Sequence, residues 1–597
     1  MRQLQFSFRT EAALDAELRK IRQWHRNNLY STAVIQLYTD ILDREMIERV
    51  CGRIRDQLPG ALIVGCSSNG NIMNGDFCGN AFAAACTLFE YPTTRVETLQ
   101  YPLTAETQTD VTRRLCDEVR ARPWVKAVGM LVTIRGMSVS ALCDGLSRLP
   151  EGVQVFGGGA FCEDLDRSDA CVFSGDGGYQ EKSVVFVLLG GEDLHIDTGY
   201  VTGWKPLGLY LDVTATRGEM LLELNGRPAY ETYYKYLHIK NDENFFYNTL
   251  EFPFLYRLNG IDIMRAPTAS NPDGSLTMTA DIDQGVKARI AYGDPWTILD
   301  SVWQEGNRLL KFAPECILVF SCAARRTFWG NAEVGKETEP YQIVAPTSGF
   351  YTSGEFLRTN GFVNQHNVTQ VIVGLREGEP RPHPEQEIRM ADHSFEGKVS
   401  MINRMATFIK ATTEELAEVN AKLEEANRRL SELAITDALT GIGNKAAYID
   451  RVRELDARIA EGDAAFSVAV FDLNGLKAIN DSRGHECGDI AITDTAHLLC
   501  DVFGRGNLYR IGGDEFIAVL PETAPEAMRA LFDRLDDAIV AKNRTPGPYG
   551  VPLALSRGWA TVRPGEDTAY HAVFKRADDA MYRDKAEYYK THDRRKR

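Results

Sequence analysis

Apolar positions along the chain fall into three regimes. In the first 225 residues, helical and strand patterns alternate. Leu14, Leu18 and Ile21 mark one face of a helix, while Ala33–Leu37, Ala61–Val64, Val125–Val132 and Ser183–Leu189 are apolar runs of strand length. Two glycine-bearing stretches stand between such elements, Gly65-Cys66-Ser67-Ser68-Asn69-Gly70 and Gly157-Gly158-Gly159-Ala160. Each reads as a loop, either bringing backbone N–H groups to a small anion or turning the chain at a strand end.

The second regime follows a polar, proline-rich connector over 376–394. Apolar residues then recur at heptad spacing, one row being Ile402, Ile409, Leu416, Leu423 and Leu430. The other is Met405, Thr412, Val419, Ala426 and Leu433. One amphipathic helix packed on the preceding domain would give such a stripe. The narrow double row, flanked by Glu415, Lys422 and Arg429, favours a two-stranded parallel coiled coil. In the third regime a buried-strand run, Phe466–Phe471, ends at Asp472. Downstream, two apolar runs flank Gly512-Gly513-Asp514-Glu515, the pattern of a β-hairpin.

Totals narrow the classes. A chain of 597 residues holds three or four domains, and a 44% hydrophobic content lets each bury a core. The net charge, 67 − 83 = −16, argues against nucleic-acid or anionic-membrane binding. The start, Met1-Arg-Gln-Leu-Gln-Phe, lacks the apolar core of a signal peptide, and no run reaches membrane-helix length. The twelve cysteines are scattered with no Cys-x-x-Cys pair, as reduced thiols in a cytoplasmic protein would be.

Candidate chemistry concentrates in the third regime. Gly512 and Gly513 allow a phosphate to approach the backbone, and Asp514 and Glu515 follow at once. Carboxylates facing phosphates imply Mg²⁺ between them, and an acid at the end of a core strand, Asp472, needs a metal or partner. The alternative is a solvated turn. Lys477 offers a point charge for phosphate. Further blocks are Asp437–Asn444, Gly484-His485, Gly488-Asp489 and Arg576–Lys585.

These blocks, in this order, resemble the GGDEF family of diguanylate cyclases over roughly residues 434 to 597. The resemblance implies a palm-like nucleotidyl-cyclase fold that joins two GTP into cyclic di-GMP with release of two pyrophosphates. It implies Asp472 and Asp514 as side-chain ligands of Mg²⁺ (or Mn²⁺), with the Leu473 carbonyl and, at a second metal, Glu515. Asp514 would also accept the proton of the attacking 3′-hydroxyl. Asn480 and Asp489 would read guanine, and Lys477, Lys585 and the Gly512-Gly513 turn would meet the phosphates. An adenine substrate would leave the Asp unpaired. Two departures stand out. Where product-inhibited members carry Arg-x-x-Asp, this chain has Phe503-Gly504-Arg505-Gly506, and where many carry a second phosphate-binding Arg it has Tyr589. The basic end Arg594–Arg597 reads as a solvated tail.

Upstream, Gly203-Trp-Lys-Pro-Leu-Gly, Leu222–Tyr230, Asn271-Pro-Asp-Gly-Ser, Cys316–Arg326 and Gly349–Glu355 together resemble the FIST sensory module over roughly residues 30 to 375. That resemblance implies a small-molecule sensor, amino acids among the candidates, with no reaction of its own. Within it, Arg325 or Arg326 at a strand end would clamp a carboxylate and Glu355 would take an ammonium, or all three form surface ion pairs. Cys66 and Cys322 are either reactive or buried and inert, and no metal-ligand spacing occurs here. The expected architecture is a multidomain α/β (α+β) chain. It comprises sensor parts at 1–225 and 226–380, a linker helix at 395–434 that pairs two chains, and a cyclase domain at 435–597. The rival is a catalytically silent GTP-binding module.

Overall fold

The computed structural model describes all residues except 28–29, 135, 162–169, 382, 385–386, 391–396, 522–523, 546 and 593–597, so the basic tail at 594–597 lies outside the described residues. The chain divides into two compact units, Met1–Ala411 and Thr412–Arg597, and mixes helix and strand throughout.

The first unit contains three six-stranded sheets built to one plan, which no sequence motif announces. At the centre of each lies a parallel pair joined by helix. The pairs are Thr32–Thr39 with Leu62–Ser67, Val125–Val132 with Gln154–Gly159, and Cys316–Cys322 with Thr347–Thr352. A long antiparallel strand flanks the first member of the first and third pairs (Phe82–Phe89 and Gln370–Glu377), and Ser183–Gly190 flanks Val125–Val132 in the second. The second strand of every pair is followed by a hairpin that leaves for another sheet. Asn71–Cys78 joins the third sheet, Val172–Gln180 the first and Glu355–His366 the second. The exchange is cyclic, so none of the three repeats is complete alone.

The glycine stretches belong to this plan and correct the loop expectation. Gly65 and Gly157 lie inside strands, as does Gly349 of the third repeat. In each, an added Cβ would strike the carbonyl oxygen of its parallel neighbour. The approaches would be 2.1 Å to Leu37, 2.0 Å to Met130 and 1.8 Å to Val319. The glycines let strand backbones close up, and only Ser68–Gly70 and Ala160 lie beyond the strand ends. Two of the exchanged hairpins turn on Asn-Gly, with Asn74, Gly75, Asn360 and Gly361 all at positive φ, as tight hairpin turns require. A further sheet of eight strands, Trp204 to Gly293, is inserted in the third repeat before the helix Pro295–Phe312.

The helix at Glu11–Asn27 buries Leu14, Leu18 and Ile21 as its spacing predicts. The connector is less free than its composition suggests. Ile388 is buried with Trp303 and Leu310, and Asn307 holds its backbone N–H and carbonyl. The linker helix runs Gly397–Ile435. Its first turns pack on the sensor core through Val399 and Ile402, the alternative weighed above, whereas Leu416, Val419, Leu423 and Leu430 are exposed. Among the described residues no helix is long and apolar enough to cross a membrane.

In the second unit, four antiparallel strands run in the order Leu508–Gly512, Glu515–Leu520, Ser467–Leu473, Leu555–Thr561. Val468 and Val470 face Leu455, Val573 and Ala577, and the alternate residues Ala469 and Phe471 face Leu499, Met528 and Phe532. This period-two alternation buries both sheet faces under helices. The sheet end carrying Asp472 and the hairpin turn is left to the polar groups.

Candidate functional site

The expected hairpin forms, with Gly512 paired to Glu515 across a turn of Gly513 and Asp514. Arg510 anchors it, donating to the Gly513 carbonyl at 2.9 Å and to the Asp437 carboxylate at 3.2 Å. Burial works to raise the Asp437 pKa, but bonds from Thr440 and Arg510 outweigh it and hold the carboxyl below its usual range. The Leu473 N–H donates to the Asp514 carbonyl at 2.9 Å, and Asp472 is the cross-strand neighbour of Glu515. Asp472, Leu473, Asp514 and Glu515 therefore meet at one edge although some forty residues separate them in sequence.

Asp472 is 4% exposed. Its Oδ2 accepts from Lys585 Nζ at 2.6 Å, a residue of the helix Tyr570–His592, while its Oδ1 is buried without a partner. Burial pulls the Lys585 pKa down, but the bond to Asp472 and the charges of Asp472 and Asp514 leave it raised. Carboxylate and carbonyl oxygens with one buried oxygen unspent fit a hard cation such as Mg²⁺. Among the described residues no three His, Cys, Asp or Glu side chains converge as a metal cluster. A site of two carboxylates and a carbonyl would suit an ion that keeps waters and substrate phosphate as its other ligands.

Asn480 lies on the short helix Leu476–Arg483 and Asp489 on His485–Phe503, joined at Gly484 with φ 85°. A Cβ at Gly488 would stand 1.9 Å from Asn480 Oδ1, so glycine there lets the two helices close. That Oδ1 is buried and unpartnered, while Asp489 and Lys477 are exposed. Phe503 is a core residue, its ring tilted against Phe471 and edge-on to Phe532, so an apolar side chain stands where the resembled motif has Arg. Tyr589 is exposed.

The sensor unit holds a cavity of about 770 Å³. It lies where the three repeats meet beyond their central strands, with Asn69, Phe161 and Ser353 contributed one from each. Backbone bonds tie those ends in a ring: Asn69 N–H to Tyr351, Phe161 N–H to Ser67, and Ser353 N–H to Gly159. Phe246, Leu250, Met278 and Glu219 of the inserted segment form the opposite wall.

The adjacent arginines part company. Arg325 is wholly buried, gives two bonds to Glu337 at 2.9 and 2.8 Å, and donates to the carbonyls of Thr202 and Val368. It does not line the cavity. Arg326 does line it, and its partners are neutral. Nε donates to Asn331 Oδ1 at 2.9 Å, Nη1 to the carbonyl and Oδ1 of Asn69 at 2.8 Å, and the guanidinium lies 4.6 Å over the Phe77 ring. Glu355 is buried behind the wall, bonded by Thr352, with Oε2 unpartnered and its pKa pushed by burial up to about 8. Cys322 touches the cavity, but burial and then Glu355 raise its thiol, and burial raises Cys66. Both are poor nucleophiles. Two groups had no sequence signal. They are Glu219, whose pKa burial and Asp281 push up to about 7, and His366, the cross-strand neighbour of Glu355, driven down to about 3 by burial and Arg265.

Residues 33–227 match the FIST N domain, 229–358 the FIST C domain, and 434–590 the diguanylate cyclase GGDEF domain. Similar proteins include the diguanylate cyclase DgcP of Pseudomonas aeruginosa, 37% identical over 154 residues, 26% of this chain and 22% of that one. The bifunctional diguanylate cyclase/cyclic di-GMP phosphodiesterase MucR of the same organism is 32% identical over 175 residues, 29% of this chain and 25% of its own. The diguanylate cyclase DgcS of Shewanella oneidensis is 28% identical over 163 residues, 27% of this chain and 52% of its own. The chain thus spans from 22% to 52% of the length of these relatives. Among solved structures, the coiled coil and GGDEF domain of DgcB from Caulobacter crescentus, in complex with c-di-GMP, is similar at 26% identity. It covers 30% of this chain and 95% of that one, with a TM-score of 0.28.

Proposed function

We propose that this chain, a fusion of FIST N and FIST C domains with a C-terminal GGDEF domain, is a diguanylate cyclase whose rate is set by a small molecule in the FIST module. The observation that carries the reading is the edge where Asp472, with one buried oxygen unspent, adjoins Asp514 at the hairpin turn. The match to the diguanylate cyclase domain model and to relatives named diguanylate cyclases supports it.

Each residue then has a task. Asn480 and Asp489 bind the guanine edge, where a base lacking the N1–H and exocyclic amine donors leaves Asp489 unpaired. Gly512 and Gly513 admit the phosphates, and Lys477 and Lys585 carry positive charge to them. Asp514 accepts the proton of the attacking 3′-hydroxyl. A Mg²⁺ or Mn²⁺ ion held by Asp472, Asp514 and the Leu473 carbonyl, with Glu515 beside it, would stabilise charge on the attacking and leaving oxygens. Each unit holds one GTP, and ring closure needs two facing each other. The exposed stripe Leu416, Val419, Leu423 and Leu430 supplies the second copy by coiled-coil pairing.

The test is direct. Purified protein incubated with GTP and Mg²⁺ is expected to yield cyclic di-GMP, identified by mass. Unchanged GTP at every protein concentration, with GTP still bound, would instead establish the silent GTP-binding module.

A further inference from the structure

Among the described residues, the sensor cavity has a cation, Arg326, that no carboxylate matches. The guanidinium of Arg326 makes its bonds with two asparagines and an aromatic face, and no carboxylate lies within ion-pairing distance among the described residues. Its neighbour Arg325, by contrast, has its charge matched by a buried glutamate. Holding an arginine in place with neutral acceptors fixes its direction and leaves its charge unspent; Nε and Nη1 are taken, so a carboxylate would meet the guanidinium at Nη2. The remaining wall sets apolar side chains, Phe161, Phe246, Leu250 and Met278, beside polar ones, among them Asn367 with a buried, unpartnered Nδ2. Two wall threonines donate within the wall, Thr268 to the Thr277 carbonyl and Thr279 to Asn367, and the Thr277 hydroxyl accepts from Asn271.

We propose that this cavity, at the junction of the three repeats, binds a small organic acid with an apolar body, its carboxylate paired with Arg326. The proposal rests on the sensor reading above and deepens it. The anion anchor is Arg326 and not Arg325, and Glu355, which stands behind the wall, does not meet the ligand. The opposite wall carries Glu219, which faces Asp281 and Arg265. A plain acid therefore binds more tightly when Glu219 is protonated, below about pH 7. A ligand that also carries an amine binds more tightly above it, because the ionised carboxylate then attracts the ammonium.

The experiment is calorimetric titration of the full chain with isocaproate, hydrocinnamate and L-phenylalanine, against isocaproamide, hydrocinnamamide and phenethylamine. At least one acid is expected to bind and its amide to bind at least tenfold more weakly. Arg326→Gln should remove acid binding. Asn331→Asp keeps the arginine but places a carboxylate on its Nε, so it should weaken acid binding by at least tenfold while thermal unfolding stays unchanged. An acid that binds both variants as it binds the parent overturns the proposal, as does binding of amides or phenethylamine in preference to acids, or no binding by any acid. Cyclic di-GMP synthesis is measured on the same samples. Synthesis without acid binding removes this proposal alone, and Arg326-dependent acid binding without synthesis removes the cyclase reading alone.

Discussion

The two compact units keep their charges in opposite ways. In the sensor core, Arg325 and Glu337 neutralise each other and Glu355 is buried, while the charge of Arg326 at the cavity is left without a carboxylate among the described residues. In the cyclase unit the buried Asp472 retains a free oxygen, Asn480 retains another, and Asp489, Glu515 and Lys477 stand exposed around them. A buried ion pair with its partner in place is a poor ligand site, because binding would have to break it. Polar atoms left unpaired where the cost of burial is high mark a place where a ligand supplies the missing partner. The difference teaches that a conspicuous Arg-Arg pair in sequence says little until each guanidinium's partner is known.

The contrast can be broken first in the sensor. Arg325→Ala strands Glu337 in the core and is expected to cost about 3–5 kcal/mol of stability, read by denaturant unfolding. Replacing both partners by apolar residues should restore much of the loss. If the single change is silent, the pair is not the structural element described. In the cyclase unit, Asp472→Asn or Asp514→Asn should still fold and lower cyclic di-GMP formation at least about a hundredfold, since each removes a key charge at nearly constant volume. Near-normal turnover in both would discard the site.

Leu423→Asp puts a charge on the exposed stripe. Sedimentation should show monomers, and synthesis should fall at low protein concentration with partial recovery at high concentration. A tight, fully active dimer would mean that the cyclase units pair without the helix. Product control is expected to be weak, since Phe503 is in the core and Gly506 has no side chain. Non-competitive inhibition by micromolar cyclic di-GMP would reveal another product site. A pH-dependent effect concerns Glu355. Its carboxyl is held protonated in the fold up to about pH 8, against an ordinary value of 4.5. The stability it contributes is therefore complete below about 4.5 and is lost as pH rises through about 8. Glu355→Gln removes that dependence, so thermal unfolding of the variant should gain on the parent between pH 5 and pH 8. Parallel curves would show that Glu355 is ionised in the fold.

The cyclase unit is legible in sequence because its chemistry sits on local devices. A Gly-Gly-Asp-Glu turn between apolar runs, an acid closing a buried strand and a glycine-spaced helix pair each imply their geometry within a few residues. The strands Val125–Val132 and Ser183–Gly190 and the helix carrying Leu14, Leu18 and Ile21 were readable for the same reason, since periodicity is a local property. Composition also showed a connector rich in proline, but only packing placed its Ile388 in the core. The threefold plan of the sensor was not readable. Its recurring requirement is a backbone approach that a single glycine meets at Gly65, Gly157 and Gly349, and its exchanged hairpins pair strands far apart in the chain. Arg325 and Arg326 are chemically identical as letters. Their roles were decided by side-chain direction at a strand end, which sent one to Glu337 and the other to a cavity that exists only because three repeats and an inserted sheet meet there.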